Sequence, residues 1–184
     1  MRLVRTQDLS AGELAVIRDL CDAAFRERDA PRGSRGLGFT DEDWQHACGG
    51  VHAIALEGGD PVAHASVVER ELHVDRVRIR CGYVEAVATM PDRQRCGFGT
   101  AVMAATGEHI RAGFPLGALD TSRHGFHERL GWERWLGPTS VRTGAGVLAT
   151  PEEDGYVMVL RTPTSPALDL DSPISCEWRS GDVW

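Results

Sequence analysis

The sequence predicts an α/β protein with a mixed, mostly antiparallel central sheet flanked by helices. A long apolar run at 77–90 is typical of a buried strand, and a glycine-bearing turn then leads into a helix-like run at 100–112. A second strand-like run, Leu116–Asp120, follows that helix, and a helical crossover of this length is what a parallel strand pair needs. Hairpin patterns at 51–72 and 132–161 predict the antiparallel strands.

The N-terminal residues predict two helices separated by a loop. Ser10 and Glu13 have capping-box spacing, in which a hydroxyl and a carboxylate each satisfy a first-turn N–H group. Thr40 is the predicted cap of a second, shorter helix that has acidic residues in its first turn. Residues 29–39, between the two helices, are rich in glycine and predict a mobile loop.

The other elements are predicted from hydrophobic periodicity and turn residues. In chain order they are a strand at 2–5, strands at 51–57 and 61–72, the strand at 77–90, the helix at 100–112, the strand at 116–120, a helix at 123–130, and a hairpin that pairs 132–142 with 155–161. The tail at 163–184 is predicted to be packed, because a disordered tail would not normally carry Trp178 and Trp184. We expect residues 1–184 to form a single domain.

Composition excludes several classes of function. There are 27 acidic and 20 basic residues, a formal net charge of −7, which argues against a nucleic-acid partner. Every basic residue is Arg, and the lack of Lys excludes Schiff-base catalysis and a Walker-type phosphate loop. The five Cys show no metal-ligand spacing and are predicted to be reduced thiols. Without an 18-residue apolar run, we expect a soluble, cytoplasmic protein that has no membrane partner.

The turn at Gln94–Gly99 has the composition of an anion site. Backbone N–H groups at the start of a helix are unpaired and carry partial positive charge, so they attract a phosphate group. Gly97 and Gly99 let the backbone approach that phosphate, and Arg93 and Arg95 add cationic donors. Alone, a Gly-x-Gly pattern more often only makes a turn.

Two motifs in order point to one family. Gln94–Gly99, after a Val-rich strand, resembles the acyl-CoA pyrophosphate loop of the GCN5-related N-acetyltransferases (GNAT), and Phe126–Trp132 resembles their second signature. The resemblance implies the GNAT acyl-CoA N-acyltransferase fold, with a splayed pair of parallel strands, and acetyl-CoA as the cofactor. The residues that it implies for coenzyme binding are Ala86, Val87, Ala88, Thr89, Arg93, Gln94, Arg95, Cys96, Gly97, Phe98, Gly99 and Thr100.

Acetyl transfer to an amine needs a base, and Glu85 is the candidate. It stands two residues before Val87 on one strand, so both side chains are expected on the same face. The alternative is a Glu that faces solvent or pairs with an Arg. In the family, the backbone at Val87 and Thr89 receives the pantetheine arm, and the Val87 N–H is expected to polarise the thioester.

Further motifs resemble the aminoglycoside 2'-N-acetyltransferases over essentially the whole chain. They are Phe39–Trp44, Cys81–Glu85, Gly137–Val141, Glu153–Gly155 and the ending Trp178–Trp184. The resemblance implies that an acidic pocket, with the tail packed near it, holds a polycationic antibiotic, which a negative field would steer and retain. The implied substrate-binding residues are Asp43, Glu85, Ala86, Glu153, Asp154, Asp182 and Trp184.

His127 occupies the place where the superfamily commonly has a Tyr that protonates the departing thiolate. Imidazole titrates near neutrality, so His127 is the expected general acid, and a surface histidine is the equally weighted alternative. His52 and His64 lie on neighbouring predicted strands, but without further ligands we expect no metal site there.

The sequence therefore favours an acetyl-CoA-dependent N-acetyltransferase that acetylates an aminoglycoside, at its 2'-amine, and so confers antibiotic resistance. One alternative is transfer to another small polyamine or sugar amine. Another is a catalytically weak protein that binds cationic ligands. Members of this fold often dimerise, so a homodimer is possible.

Overall fold

The structure is a computed structural model that describes residues 1–26, 38–75 and 77–184. Most of the predicted loop at 29–39 lies outside the described residues. The strands are β1 (Arg2–Arg5), β2 (Val51–Glu57), β3 (Asp60–Val74), β4 (Val77–Thr89), β5 (Leu116–Asp120), β6 (Glu133–Arg134), β7 (Thr139–Thr143), β8 (Gly146–Ala149), β9 (Val157–Arg161) and β10 (Ile174–Glu177). The helices are α1 (Ala11–Arg26), α2 (Asp41–Ala47), α3 (Phe98–Gly113) and α4 (His124–Glu128).

The described chain forms two compact units, and β3 and β4 contribute a segment to each. Unit 1 comprises Met1–Val68 and Val84–Glu108, and unit 2 comprises Glu69–Tyr83 and His109–Trp184. The expectation of one domain over residues 1–184 stays a prediction.

Unit 1 packs α1 against strands. The apolar face of α1 is buried as its periodicity predicts, and Leu20, Cys21 and Ala24 form a cluster with Ala88 of β4. Both predicted helix starts are confirmed. The Ser10 N–H bonds a Glu13 carboxylate oxygen at 2.8 Å, and the Glu13 N–H returns to the Ser10 hydroxyl at 3.2 Å.

Unit 2 contains both parallel and antiparallel strand pairs, which confirms the mixed sheet. Its strand order is β6-β9-β5-β4-β3-β10-β7-β8. The parallel pairing of β4 with β5 joins Cys81–Tyr83 to Leu116–Ala118. Glycine allows the end of α3 to pack closely here, because a Cβ on Gly82 would lie 2.9 Å from the Phe114 ring.

The predicted final hairpin is wrong in part. β6 does pair with β9, but β7 pairs with β8 and, in parallel, with β10. After β6 the chain turns away from β9. At Gly137, in this turn, a Cβ would lie 2.0 Å from the Ser172 carbonyl oxygen. Only a glycine permits this approach to the tail.

The tail is packed, as predicted, but one of its two tryptophans is not. Strand β10 pairs with both β3 and β7, and Trp184 is buried. Trp178 is 60% exposed, which corrects its use as evidence for packing. All five cysteines are free, as expected.

Gly50, which immediately precedes β2, lies against the backbone of β3, and this contact gives a stability prediction. A Cβ on Gly50 would lie 1.9 Å from the Val67 carbonyl oxygen, whereas one on Gly12 in α1 would meet nothing within 4 Å. We expect Gly50→Ala to lower the free energy of unfolding by about 2–3 kcal/mol because the β2–β3 backbone must shift. Gly12→Ala should raise it by up to about 1 kcal/mol. Urea denaturation measures both, and equal midpoints for the two variants would contradict the packing at Gly50.

Candidate active site

The predicted coenzyme loop forms a turn before α3, within unit 1. A 3₁₀ turn at Pro91–Arg93 precedes it, and positive φ angles at Arg95 (64°) and Gly97 (88°) reverse the chain. The Ala101 N–H bonds the Gly97 carbonyl at 3.0 Å, which leaves the N–H groups of residues 98–100 at the open end of the helix. Gln94–Gly97 is exposed. This is the geometry of an anion site at a helix N-terminus.

The two arginines of this loop differ in their surroundings. Arg93 donates to a Glu57 carboxylate oxygen at 2.6 Å and to an Asp92 carboxylate oxygen at 2.8 Å, and these bonds raise its pKa further. Its guanidinium is thus neutralised within the protein. Arg95 is exposed on the turn, so it is the better placed of the two for an approaching anion.

Strand β4 is irregular where the reaction was predicted. Ala86 has φ = 51°, the left-handed region that residues with a Cβ seldom adopt within strands. Glu85 and Val87, on either side, are half-buried. Ala86 and Ala88 both pack against the cluster from α1.

Side chains of β3 hold this irregular segment. The Ser66 hydroxyl donates to the Glu85 carbonyl at 3.4 Å, and His64 Nδ1 lies 2.9 Å from the Ala86 carbonyl. His64 Nε2 lies 2.8 Å from His52 Nδ1, so the two histidines are paired. Burial lowers the pKa of His52 to about 4 and that of His64 to about 3.

Asp43, a predicted substrate residue, completes a capping box at the start of α2. The Thr40 N–H bonds one Asp43 carboxylate oxygen at 2.9 Å, and the Asp43 N–H bonds the Thr40 hydroxyl at 3.1 Å. The sequence revealed the cap but not this reciprocal bond. Asp43 therefore stabilises the helix start, whatever else it binds.

The predicted acidic residues of unit 2 fall into two environments. Glu153 is half-buried, and burial together with the charges of Asp182 and Glu152 raises its pKa to about 7. Asp154 instead accepts the Thr139 N–H at 2.8 Å and lies 2.9 Å from the Thr139 hydroxyl. Asp154 therefore has a structural role, because its carboxylate is hydrogen-bonded to Thr139. Glu153 instead lies near two other carboxylates.

Trp184 is fixed through Thr150, which the sequence did not single out. The buried Trp184 indole donates to the Thr150 hydroxyl at 3.0 Å, and the Glu153 N–H bonds the Thr150 carbonyl at 2.9 Å. The Trp184 N–H reaches an Asp182 carboxylate oxygen at 3.3 Å. The structure thus brings Glu153, Asp182 and Trp184 together.

Two arginines that the sequence did not single out anchor the same segment. Arg70 is buried and donates to the carbonyl oxygens of Glu177 (3.1 Å) and Val183 (2.8 Å). Arg179 donates to the main-chain oxygens of Asp182 (2.7 Å) and Trp184 (2.8 Å). A single Arg within a largely buried strand was the available signal for Arg70.

His127 is buried within unit 2, with only 4% of its surface exposed. Its ring makes edge contacts with Phe126 and Trp132, at centroid distances of 4.9 and 6.2 Å. Burial, followed by the charge of His124, lowers the pKa of His127 to about 4. The ring is therefore neutral at pH 7. The role of His127 as the general acid stays a prediction.

A cavity of about 320 Å³ in unit 2 contains none of the predicted site residues. Its lining is ion-paired, with Arg80 3.0 Å from Glu69 and Arg70 2.9 Å from Glu177. Within the described part of the chain, no three His, Cys, Asp or Glu side chains are grouped as a metal site would require. Among the described helices, none combines the length and apolar character needed to cross a membrane.

Comparison with known proteins agrees with these features. The family model described as an acetyltransferase (GNAT) domain matches residues 5–135. An aminoglycoside 2'-N-acetyltransferase from Mycolicibacterium fortuitum is 43% identical over 188 aligned residues, which cover 100% of this chain and 91% of that protein. The resemblance to that family is confirmed.

Solved structures agree on the fold. A GNAT family acetyltransferase from Brucella melitensis, in complex with acetyl-CoA, has a TM-score of 0.59 at 17% identity, over 91% of this chain and 92% of that one. A GCN5-related N-acetyltransferase from Kribbella flavida has a TM-score of 0.53 at 22% identity, over 74% of this chain. This chain spans only 33% of the Kribbella structure. The protein therefore belongs to the GNAT acetyltransferases, which use acetyl-CoA as the acetyl donor.

Proposed function

We propose that the protein transfers an acetyl group from acetyl-CoA to an amino group of an aminoglycoside, the 2'-amine, and so inactivates the antibiotic. The observation that carries this proposal is the full-length, 43% identity to an aminoglycoside 2'-N-acetyltransferase. The raised pKa of Glu153 supports it, since an ammonium partner stabilises the ionised form of a carboxyl that is half-buried and near other carboxylates.

In the proposed reaction the loop of unit 1 binds the coenzyme. The N–H groups of residues 98–100 and the Arg95 side chain hold the diphosphate. The Val87 N–H polarises the thioester carbonyl, as an oxyanion donor does. The backbone amide and carbonyl groups of Ala86, Ala88 and Thr89 bind the pantetheine arm. The turn itself is formed by Arg93, Gln94, Cys96, Gly97 and Phe98.

Direct attack then moves one acetyl group and one proton. The neutral amine adds to the thioester carbon, the C–S bond breaks, and the coenzyme leaves as a thiolate. The nitrogen gives up a proton through water to Glu85, and the thiolate takes up a proton from solvent. Glu85 then returns its proton to solvent, which restores the base. His127, as a neutral ring, contributes an N–H hydrogen bond rather than a full positive charge.

The substrate class is tested by thiol release. Purified protein is mixed with acetyl-CoA and a panel of aminoglycosides with or without a 2'-amine, together with spermidine and peptides. We expect release of free coenzyme A only with 2'-amino compounds, and mass spectrometry should place the acetyl group on that nitrogen. Aminoglycoside binding without thiol release would favour a binding protein, and release with spermidine or peptides alone would indicate another amine as substrate.

The role of Glu85 is tested by Glu85→Gln, with Glu108→Gln on the exposed part of α3 as the matched control in unit 1. The amide retains the size of the side chain but accepts no proton, so we expect kcat to fall about 100-fold or more. Acetyl-CoA affinity, measured by calorimetry, should stay unchanged. Equal kcat for the two variants would remove Glu85 from the mechanism.

The charge of Glu153 predicts a pH dependence of aminoglycoside binding. Its raised pKa means that the carboxyl is ionised above about pH 7 and protonated below. A bound ammonium group favours the ionised form, so binding near pH 6 should release a proton and lose up to about tenfold in affinity relative to pH 8. Calorimetry in buffers of different ionisation enthalpy measures both effects.

The Glu153→Gln variant separates the proton released by Glu153 from protons released by the antibiotic's own amines. Proton release should decrease by one group in this variant, and the affinity at pH 8 should fall. Asp154→Asn is the matched control, because its remaining amide oxygen still accepts the Thr139 N–H. If Asp154→Asn changes the pH dependence and Glu153→Gln does not, then Asp154, and not Glu153, is the carboxylate that binds the ammonium group.

A further inference from the structure

The buried histidine pair in unit 1 has no part in the reaction proposed above, yet one of its nitrogens meets the irregular segment of β4. Both rings are fully buried. Burying two imidazoles costs free energy unless their nitrogens are hydrogen-bonded. Each of the four ring nitrogens lies within 2.9 Å of a polar partner.

The chain of contacts fixes every proton. The Ala86 carbonyl can only accept, so His64 Nδ1 carries a hydrogen and donates at 2.9 Å. A neutral His64 then has a lone pair on Nε2, which accepts from His52 Nδ1–H at 2.8 Å. His52 Nε2 is left to accept from the Thr6 hydroxyl at 2.8 Å.

The far end of this chain is tied to the backbone. The Thr6 oxygen accepts the Gly49 N–H at 2.9 Å. Its own hydrogen can go to His52 Nε2 at 2.8 Å or to the Gly50 carbonyl at 3.2 Å, and the lone pair on His52 Nε2 favours the shorter contact. The Cys21 sulfur lies 3.8 Å from His64 Nδ1 and is a weak acceptor beside the same donor. One arrangement of hydrogens therefore satisfies the chain from Thr6 to Ala86.

We propose that His64, backed by His52 and Thr6, is a positioning residue that holds the Ala86 carbonyl and thereby sets the Val87 N–H for acetyl transfer. The inference rests on the proposed function for its catalytic meaning. Ala86 has φ = 51°, so its peptide orientation is not one that the strand would keep unaided. The Ala86 carbonyl and the Val87 N–H belong to one rigid peptide plane, so a bond to the first orients the second.

Two substitutions at position 64 separate the hydrogen bond from packing. His64→Leu fills a similar volume without a donor. His64→Asn keeps an N–H donor where Nδ1 stands but gives up the bond to His52. Thr106→Val is the matched control, since Thr106 is a buried residue of unit 1 whose hydroxyl bonds the Met103 carbonyl at 2.9 Å in α3.

We expect His64→Leu to lower kcat about 10- to 100-fold with the KM for aminoglycoside unchanged, because a small misplacement of an oxyanion donor has effects of this size. His64→Asn should recover kcat to within about threefold of wild type, and Thr106→Val should stay within about twofold. Wild-type kcat in a folded His64→Leu variant would overturn the proposal. So would a kcat for His64→Asn that is as low as that of His64→Leu.

A spectroscopic test needs neither turnover nor a variant that folds. Two-bond ¹H–¹⁵N NMR of histidine-labelled wild-type protein at pH 7 reports which nitrogen of each ring carries hydrogen. Both buried rings should be protonated on Nδ1, and a His64 signal with hydrogen on Nε2 would refute the hydrogen bond to Ala86. Failure of wild-type thiol release with every amine would instead count against the proposed function and leave this result intact.

Discussion

The backbone of Ala86 is the constraint around which unit 1 is built. Ala86 has a φ angle of 51°, and a residue with a Cβ in the left-handed region is disfavoured by roughly 1–2 kcal/mol. Two side chains of β3 donate hydrogen bonds to this segment: Ser66 to the Glu85 carbonyl and His64 to the Ala86 carbonyl. Each such bond contributes about 1 kcal/mol, which is enough to offset the backbone.

In unit 2, the carboxylates of Glu152, Glu153 and Asp182 lie near one another, although their like charges repel. The segment that carries Asp182 and Trp184 is attached through main-chain oxygens to Arg70 and Arg179. Both guanidinium groups also lie over Tyr83, at 4.7 and 5.7 Å from the ring centroid. The hydrogen bonds from these arginines to the backbone hold the segment in place, with Asp182 close enough to Glu153 for its charge to raise the pKa of Glu153. Burial is the first cause of the raised pKa of Glu153, and the charges of Asp182 and Glu152 add to it.

Local signals predicted the parts that depend on local chemistry. The capping residues Ser10 and Thr40, the apolar face of α1 and the glycine turn before α3 each follow from a few neighbouring residues. The pairing of β7 with β10 could not be predicted, because both strands are short and their partners lie more than 30 residues apart. Acidic residues were the least reliable signal. Asp43 and Asp154 resemble Glu153 in sequence, but they bond backbone N–H groups, and only the folded chain shows this difference.

The buried histidines bear on the chemistry of the leaving group. His52, His64 and His127 all have lowered pKa values because burial disfavours the charged ring, so none of them is an imidazolium at neutral pH. A thiol has a pKa near 8.5 in water, so a thiolate leaves with far less help from an acid than an alkoxide would. The difficult proton is the one on the attacking nitrogen, which must be lost for the amide to form. In the reaction proposed above, the base, Glu85, therefore matters more than the acid, and a neutral His127 is compatible with it.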